Sequence, residues 1–425
     1  MQQHLNYLHR SNINNTLILY GIMFHMWVTI INAVLVAIVF GVLGTWIYFI
    51  EYMLKSFKRS PTIESVDKDA ISSNPKISVI LPARNEEKYI AKCLESLLAQ
   101  DYPKFEIIAV DDSSSDKTRD IIYEYAKRNS CVVAVSARPK PDGWAGKNWA
   151  CYEGYMRATG DVLLFTDADT VHSPRIMSLA LRHLVIDNLD AITAIPKLLC
   201  IDIWTRITLP MLSNFLHSRF SPLRVNNPKT KTGYFFGSFY MITRDTYEII
   251  GTHKIVKHEL VEDGALGGMV KAQKFRMKMV RGERFIDAMW SRDFKTLWHG
   301  LRRLMISIYS QNKIGATMMT VAVFFLLFEP FLLLAYSVPQ WIQSNDLVSQ
   351  ILFGLNLGTV CVIIFANAVQ SKLGVFQNPF YAIACPISAA IISICFIASI
   401  LSAKKAGSVN WRDRRYTVSQ NQHPL

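Results

Sequence analysis

The 425 residues of the chain are enough for about two or three domains of ordinary size. They include 46 Lys and Arg against 33 Asp and Glu, which gives a formal net charge of +13, and 51% of the residues are hydrophobic. That hydrophobic share is near the soluble average of about 45–50%, so composition alone does not identify a membrane protein. It does exclude a disordered chain. The 7 cysteines are scattered singly, which excludes a disulfide scaffold.

The apolar residues are concentrated in four long runs. Each run exceeds the roughly 18 residues that suggest a membrane span, and Glu329 is the one Asp, Glu, Lys or Arg that they contain. These runs exclude a wholly soluble enzyme. They cover Leu17–Ile50, Ile314–Ser337, Leu347–Val369 and Phe380–Ala403.

The first run is longer than one membrane crossing needs. As a helix it would extend about 51 Å, whereas a hydrocarbon core is about 30 Å thick. Within segment 1–54 we therefore expect Leu17–Met26 to lie at the interface and Trp27–Ile50 to cross. Basic residues follow at 55–59. The positive-inside rule then predicts that the next domain is cytoplasmic and that the protein is a multi-pass protein of the cell membrane.

After a polar linker at 55–75, residues 76–270 alternate strand and helix patterns. This rhythm predicts an α/β domain, with a mainly parallel sheet covered by helices on both faces. The strand patterns are Ile77–Leu81, Ile107–Val110, Val132–Val135 and Val162–Phe165, and the helical patterns are Glu87–Ala99, Thr118–Lys127 and Lys147–Arg157.

Polar clusters follow three of these strands, where ligands bind in such sheets. The clusters are Arg84–Glu87, Asp111–Asp116 and Thr166–Thr170. Two carboxylates at positions i and i+2 suit a divalent cation that also holds phosphates. A single Asp pair more often caps a helix or forms a turn, but three acidic strand ends in one sheet favour a site. The loop Gly143–Lys147 offers backbone N–H groups and a lysine to a phosphate.

These stretches resemble the family-2 glycosyltransferases. The matching segments are ISVILPARNEE, FEIIAVDDSSSDKT, GWAGKNWACYEGYMRATGD and VLLFTDADT, in the family's order. The GW-x-GK loop is similar to that of membrane-bound members that glycosylate lipids, namely the hopene-associated, carotenoid-acid and ceramide glycosyltransferases. The resemblance continues through GYFFGSFYMITRDTYEIIGTH and HELVEDGALG. It implies a GT-A fold, with a mixed sheet and transmembrane helices before and after it.

The resemblance also implies roles for individual residues. The nucleotide of the donor would be bound by Ala83, Arg84, Glu86 and Asp112, and Lys147 would approach its diphosphate. Asp167 and Asp169 would form the metal-binding DxD pair, with Asp167 also contacting the donor. The cofactors implied are Mg²⁺ or Mn²⁺ and a nucleotide-sugar, with a UDP-sugar favoured over a GDP-sugar. Asp263 would be the general base, since inverting transfer needs a carboxylate to deprotonate the acceptor hydroxyl; a helix N-cap is the alternative for this residue.

Residues 271–313 form a basic region with interleaved aromatic side chains. Lys271–Arg303 holds ten basic residues and three acidic ones. Because a membrane run follows directly, we expect an amphipathic segment on anionic lipid headgroups and not a nucleic-acid site.

The three apolar runs within 314–403 raise a question of topology. If all three cross, the basic tail at 404–425 lies outside, against the positive-inside rule. Either one run is re-entrant or the tail is an exception to the rule. The sequence predicts metal-dependent, inverting transfer of a single sugar from a nucleotide-sugar to a membrane lipid at the cytoplasmic face. The alternatives are a polyprenyl-phosphate sugar synthase and, from another class, a non-catalytic scaffold with a relic sugar-nucleotide domain. The processive signature Q-x-x-R-W does not occur at Trp298–Leu304, which disfavours a polymer synthase.

Overall fold

The computed structural model describes residues 2–66, 74–343, 346–406, 408–411 and 414–417. The middle of the expected linker (67–73) and the end of the tail (418–425) therefore lie outside the described residues. The strands are β1 Ile77–Ala83, β2 Phe105–Asp111, β3 Val132–Ser136, β4 Val162–Phe165, β5 Val171–His172, β6 Ala191–Ile195, β7 Lys197–Leu199, β8 Tyr240–Thr243, β9 Met277–Arg281, β10 Ile286–Met289, β11 Ser408–Trp411 and β12 Arg414–Thr417.

The α-helices surround and extend this set of strands. They are α1 Gln2–Arg59, α2 Ile90–Leu98, α3 Thr118–Arg128, α4 Gly146–Tyr155, α5 Ile176–Ile186, α6 Ile203–Phe220, α7 Pro222–Val225, α8 Arg244–Ile249, α9 Thr252–Ile255, α10 Glu262–Ala272, α11 Phe294–Gln311, α12 Lys313–Val323, α13 Glu329–Gln343, α14 Leu347–Leu373 and α15 Cys385–Ala406. A π-helical turn covers Phe324–Phe328 and a 3-10 helix covers Pro379–Ala384.

The α/β domain, which the sequence predicts to be catalytic and which is called the catalytic domain below, is built on a seven-stranded sheet in the order β3-β2-β1-β4-β8-β6-β9. β1, β2, β3 and β4 run parallel, and β8 is antiparallel to both of its neighbours. All seven residues of β1 are buried, as expected of a central strand with helices on both faces. The register pairs Ala83 with Asp111, so the polar loops after β1 and β2 start side by side. The predicted mixed α/β sheet is confirmed.

The sheet extends beyond the expected domain end at residue 270. β9 pairs in parallel with β6 at the edge of the sheet, and β10 joins a second sheet of order β5-β10-β7. The first part of the expected interfacial region therefore consists of two strands of the catalytic domain, β9 and β10. Apolar side chains alternate along these strands, and one face of each is buried in the core. Within the expected interfacial region 271–313, α11 is the helix that has one apolar face. The start of the expected linker also differs: α1 continues to Arg59, and Ile63 is fully buried against the domain.

Four helical stretches are long and apolar enough, by length and composition alone, to cross a membrane. They are Ile22–Arg59, Lys313–Gln343, Leu347–Leu373 and Pro379–Ala403. Polar contacts join three of them: Asn32 Nδ2 donates to Ser349 Oγ at 3.0 Å, and Tyr336 OH donates to Asn32 Oδ1 at 3.0 Å. Trp46 Nε1 donates to the Leu326 carbonyl in the π-helical turn at 2.8 Å. That bond gives a partner to a backbone carbonyl in a segment where the backbone hydrogen bonds depart from the α-helical pattern.

Two helices of the catalytic domain, α6 and α11, pack among these apolar helices. Leu209 and Leu212 of α6 and Leu297 and Leu301 of α11 share one buried cluster with Trp46 and the apolar helices α12, α14 and α15. Asp202 caps α6, and Ser388 Oγ of α15 donates to the Ile207 carbonyl at 2.7 Å. The catalytic domain is thus joined to the apolar helices by shared core and not by a flexible tether.

Candidate active site

The loops after β1 and β2 are tied together by reciprocal hydrogen bonds. Arg84 Nη1 donates to the carbonyls of Asp112 and Ser113 at 2.6 and 3.1 Å. The backbone N–H of Ser115 donates to Asn85 Oδ1 at 2.8 Å, and Asn85 itself has a φ of 54°, a left-handed conformation that Asn tolerates. The residues expected to bind the nucleotide after β1 and β2 therefore lie together at one edge of the sheet.

Lys147, in the first turn of α4, is held between two carboxylates. Its Nζ lies 2.7 Å from Asp167 Oδ1 and 2.7 Å from Glu262 Oε1. Burial alone lowers the pKa of Lys147, but the charges of Asp167 and Glu262 outweigh it and hold that pKa well above its usual value. The lysine is a fixed cation in the site, as an approach to a diphosphate would require.

Asp263 lies beside this lysine. Its Oδ2 accepts from the Gly237 backbone N–H at 2.8 Å, and its Oδ1 accepts from the Gly264 N–H at 2.8 Å. A Cβ placed on Gly237 would stand 2.7 Å from Asp263 Oδ2, 3.0 Å from Lys147 Nζ and 3.2 Å from Asp167 Oδ2. Gly237 therefore leaves the space in which these three side chains meet.

Asp263 is not the N-cap of α10. The residue at the N-cap position is Val261, and Asp263 is the second residue of the helix, with its carboxylate directed at Gly237. Helix α10 comes this close to residues 234–237 because it carries glycines: a Cβ on Gly267 would lie 2.7 Å from the Phe235 backbone nitrogen. The glycines of EDGALGG thus position the carboxylate.

A second ion-pair group forms on the other side of the same loop. Arg292 Nη2 donates to Glu86 Oε2 at 2.6 Å and to Asp169 Oδ2 at 2.8 Å. The guanidinium carbon lies 4.3 Å from the centroid of the Tyr89 ring. The loop Asp167–Asp169 therefore joins the two groups, one around Lys147 and one around Arg292.

The electrostatics of both groups are dominated by burial and by excess negative charge. Burial, with the charges of Asp167 and Glu86, raises the pKa of Asp169 to about 6, although Arg292 opposes the shift. Burial, with the charge of Glu262, likewise raises the pKa of Asp263 to about 6 against the opposing charges of Lys147 and Arg303. A carboxylate with a pKa in this range is suited to accept a proton near neutral pH.

A divalent cation fits this arrangement. Asp167 and Asp169 supply hard oxygen ligands, and the raised pKa of Asp169 reports a local excess of negative charge that a cation would relieve. Among the described residues no group of three or more His, Cys, Asp or Glu is arranged to hold a metal ion by itself. Two carboxylates are still sufficient for Mg²⁺, which takes its remaining ligands from substrate phosphates and water.

Three participants were missed by the sequence reasoning. Glu262 was treated only as the neighbour of Asp263, and Gly237 only as part of the segment GYFFGSFYM. Arg292 was assigned with its neighbours to the membrane interface, although it faces the catalytic cleft. The sequence held a signal for Glu262, which directly precedes the predicted base, but none that pairs Arg292 with residues more than a hundred positions away.

Residues 78–250 match the family model Glycosyl transferase family 2. The chain carries a family-2 glycosyltransferase domain. The glycosyltransferase is 22% identical over 365 residues to 4,4'-diaponeurosporenoate glycosyltransferase of Staphylococcus aureus strain USA300, covering 81% of this chain and 89% of that protein. It is 40% identical over 97 residues to the probable glycosyltransferase YdaM of Bacillus subtilis strain 168, covering 22% of this chain and 23% of that protein.

Among solved structures, the mannosyltransferase PcManGT of Pyrobaculum calidifontis, in complex with GDP-Man and Mn²⁺, aligns with a TM-score of 0.48 and 16% identity. The alignment covers 87% of this chain and 99% of that chain. The family assignment confirms the predicted enzyme class, and the mixed sheet between apolar helices confirms the predicted fold class.

Proposed function

We propose that this glycosyltransferase moves a single sugar from a nucleotide-sugar to a membrane lipid, with inversion and with a divalent cation, at the cytoplasmic face. The observation that carries the proposal is the position of Asp263. It lies between the donor-side lysine Lys147 and the residues that lead to the apolar helices. A carboxylate there can remove the proton of an acceptor that arrives from the membrane.

The acceptor side is lined by α6, α11 and aromatic rings. A Cβ on Gly264 would lie 2.8 Å from the Tyr234 ring, which places that ring against the residue that follows the proposed base, and Tyr234 stacks on Phe220 at the end of α6 with centroids 4.4 Å apart. Arg303 of α11 lies close enough for its charge to lower the pKa of Asp263. Because α6 and α11 pack among the apolar helices, an acceptor bound beside them would approach Asp263 from the side of the membrane.

The chain's own residues would divide the work of the reaction. Asp263 would hold the acceptor hydroxyl and take its proton, with its orientation fixed by the Gly237 N–H. Lys147 would orient the diphosphate and stabilise the charge that develops on it. Asp167 and Asp169 would hold Mg²⁺ or Mn²⁺, which supplies further neutralisation of the leaving diphosphate. Ala83, Arg84, Glu86 and Asp112 would bind the nucleoside.

The Staphylococcus aureus relative, by its name, glycosylates 4,4'-diaponeurosporenoate, which supports an apolar acceptor for this enzyme too. A polyprenyl phosphate remains the second acceptor class. The relic scaffold is disfavoured because Lys147 forms ion pairs with Asp167 and Glu262, and Asp263 lies close enough for its charge to act on Lys147.

The basic residues after α1 support a cytoplasmic catalytic domain. Helix α14 packs against α1 and α13, whereas α15 packs mainly against α6 and α11 of the catalytic domain. We propose that α15 is re-entrant and keeps the basic tail at 404–425 on the cytoplasmic side. Labelling of a single cysteine introduced at Asn410, in intact cells and in lysed cells, tests this. Labelling in intact cells would contradict it.

Two experiments test the enzymatic proposal. Lipid extracts incubated with the membrane-bound enzyme and a panel of labelled nucleotide-sugars should yield one labelled lipid. With that pair, Asp263→Asn should bind nucleoside diphosphate normally and transfer at least about a hundredfold more slowly, because the loss of a general base costs about 10²–10⁴ in rate. A near wild-type rate with a hydroxyl acceptor would exclude Asp263 as the base. A lipid carboxylate or phosphate needs no base, so a hydroxyl acceptor is the decisive substrate.

A further inference from the structure

Arg292 occupies the part of the site that the proposed function gives to the metal and the nucleotide. One nitrogen, Nη2, bridges Glu86 Oε2 at 2.6 Å and Asp169 Oδ2 at 2.8 Å. The side chains of Glu86 and Asp169 are 3% and 15% exposed. Two carboxylates this deeply placed need a positive partner, and Arg292 provides it.

The bridge competes with a divalent cation. A cation that takes Asp169 as a ligand brings two positive charges to the oxygen atoms that the guanidinium contacts, and like charges at this range repel strongly. The guanidinium also stacks on Tyr89, 4.3 Å from the ring centroid, which gives it a second attachment on the donor side. Repulsion between the two cations therefore favours release of Asp169 by Arg292 when Asp169 serves as a ligand.

Arg292 is also joined to the membrane-facing helix α11. It precedes α11 by two residues, and its backbone N–H donates to Thr296 Oγ1 at 2.8 Å within the helix cap formed by Asp293. One turn further on, Leu297 and Leu301 are buried among the apolar helices. A movement of Arg292 that shifts its backbone as well as its guanidinium would therefore disturb the cap at the start of α11.

We propose that Arg292 is a latch on the donor site. In the donor-free enzyme it neutralises Glu86 and Asp169. When a divalent cation and a nucleoside diphosphate bind, it releases Asp169 and loosens the first turn of α11. The inference rests on the proposed metal role of Asp169. If the guanidinium instead stays in place and orients Asp169 for the metal, Arg292→Gln should weaken Mn²⁺ binding. Donor loading should then slow hydrogen exchange at the start of α11.

The first measurement is Mn²⁺ binding to the full-length enzyme in detergent without nucleotide. Arg292→Gln removes the competitor, so Mn²⁺ should bind about tenfold more tightly than to the wild type, within the usual range of coupling between sites. Lys295→Gln is the matched control. It removes the same charge from an exposed position on the same turn, and salt screening should limit its effect to about twofold. Tyr89→Leu removes only the stacking partner and should shift Mn²⁺ affinity in the same direction as Arg292→Gln.

The second measurement is hydrogen exchange of the peptide covering residues 290–300. In the wild type, Mn²⁺ with UDP or GDP should speed exchange there, whereas in Arg292→Gln exchange should be fast before any ligand is added. Weaker Mn²⁺ binding by both Arg292→Gln and Tyr89→Leu, or slower exchange on loading, would overturn the latch and leave the metal assignment intact. A wild type that binds no Mn²⁺ even with nucleoside diphosphate would overturn the metal assignment and the latch with it.

Discussion

Replacement of Gly237 by alanine tests the geometry around the proposed base. The added Cβ would stand 2.7 Å from Asp263 Oδ2 and 3.0 Å from Lys147 Nζ, both closer than ordinary van der Waals contact. The nearest atoms are the ends of side chains and not backbone. The chain can therefore relieve the contact by moving the carboxylate and the ammonium group by several tenths of an ångström, and folding should survive.

We expect Gly237→Ala to lower the rate of catalysis more than the stability, because the atoms that must move belong to Asp263 and Lys147. A displacement of about 1 Å in a reacting group costs about a hundredfold in rate, so we expect Gly237→Ala to lower kcat by about tenfold to a hundredfold. Overpacking costs about 1–3 kcal/mol in a rigid core, and the flexible neighbours here place the loss of folding free energy at or below about 1 kcal/mol.

The assay compares kcat for lipid glycosylation with the melting temperature of the same preparation. Gly354→Ala is the matched control, since a Cβ at Gly354 meets nothing within 4 Å. That control should keep both kcat and melting temperature near wild type. A Gly237→Ala enzyme with wild-type kcat would refute the placement of Asp263 and Lys147 in one reacting centre. A large fall in melting temperature together with lost activity would show that Gly237 serves the fold instead.

Two further predictions concern the membrane surface and pH. Trp204 and Phe294 are each 40% exposed with ring centroids 5.2 Å apart, so the Trp204→Ser, Phe294→Ser double variant should lose activity on lipid in vesicles but not on a short soluble acceptor. Val133→Ser, on the edge strand β3 at 39% exposure, should lose neither. Burial lowers the pKa of His172 to about 4. The unfolded chain therefore binds more protons below pH 6.5, and His172 alone should lower the free energy of unfolding by about 2 kcal/mol between pH 7 and pH 5. His172→Gln should reduce that fall, measured as melting temperature against pH.

The catalytic sheet could be predicted because its signals are local. β1, β2 and β4 are continuous apolar runs, and the polar clusters follow them directly in the sequence. The helix α6 gave no such signal. It contains Pro210, and it buries Thr205 and Asn214 along with its leucines, so its apolar residues do not follow a simple helical stripe. Its helical state is favoured instead by packing against the apolar helices. These partners lie far away in the sequence, so no local stretch of sequence indicates the contact.

The site could be predicted only in part for a similar reason. Asp167 and Asp169 follow β4 directly and lie within the predicted cluster. Arg292 contacts Glu86 and Asp169 across separations of 206 and 123 residues. A single sequence does not indicate which of its 46 Lys and Arg residues contacts carboxylates at such separations along the chain. The composition of residues 271–303 pointed to the membrane, yet Arg292 within it faces the carboxylates.

The position of α11 connects the two sides of the proposed reaction. Arg292, just before the helix, contacts the donor-side carboxylates, and Arg303, near its far end, acts on Asp263. The helical rise between them is about 16 Å, which is comparable to the length of a nucleotide-sugar. The opposite face of the same helix is buried among the apolar helices. If the acceptor reaches Asp263 from the bilayer, as proposed, α11 lies along its path, and a change of α11 on donor loading would act on that path.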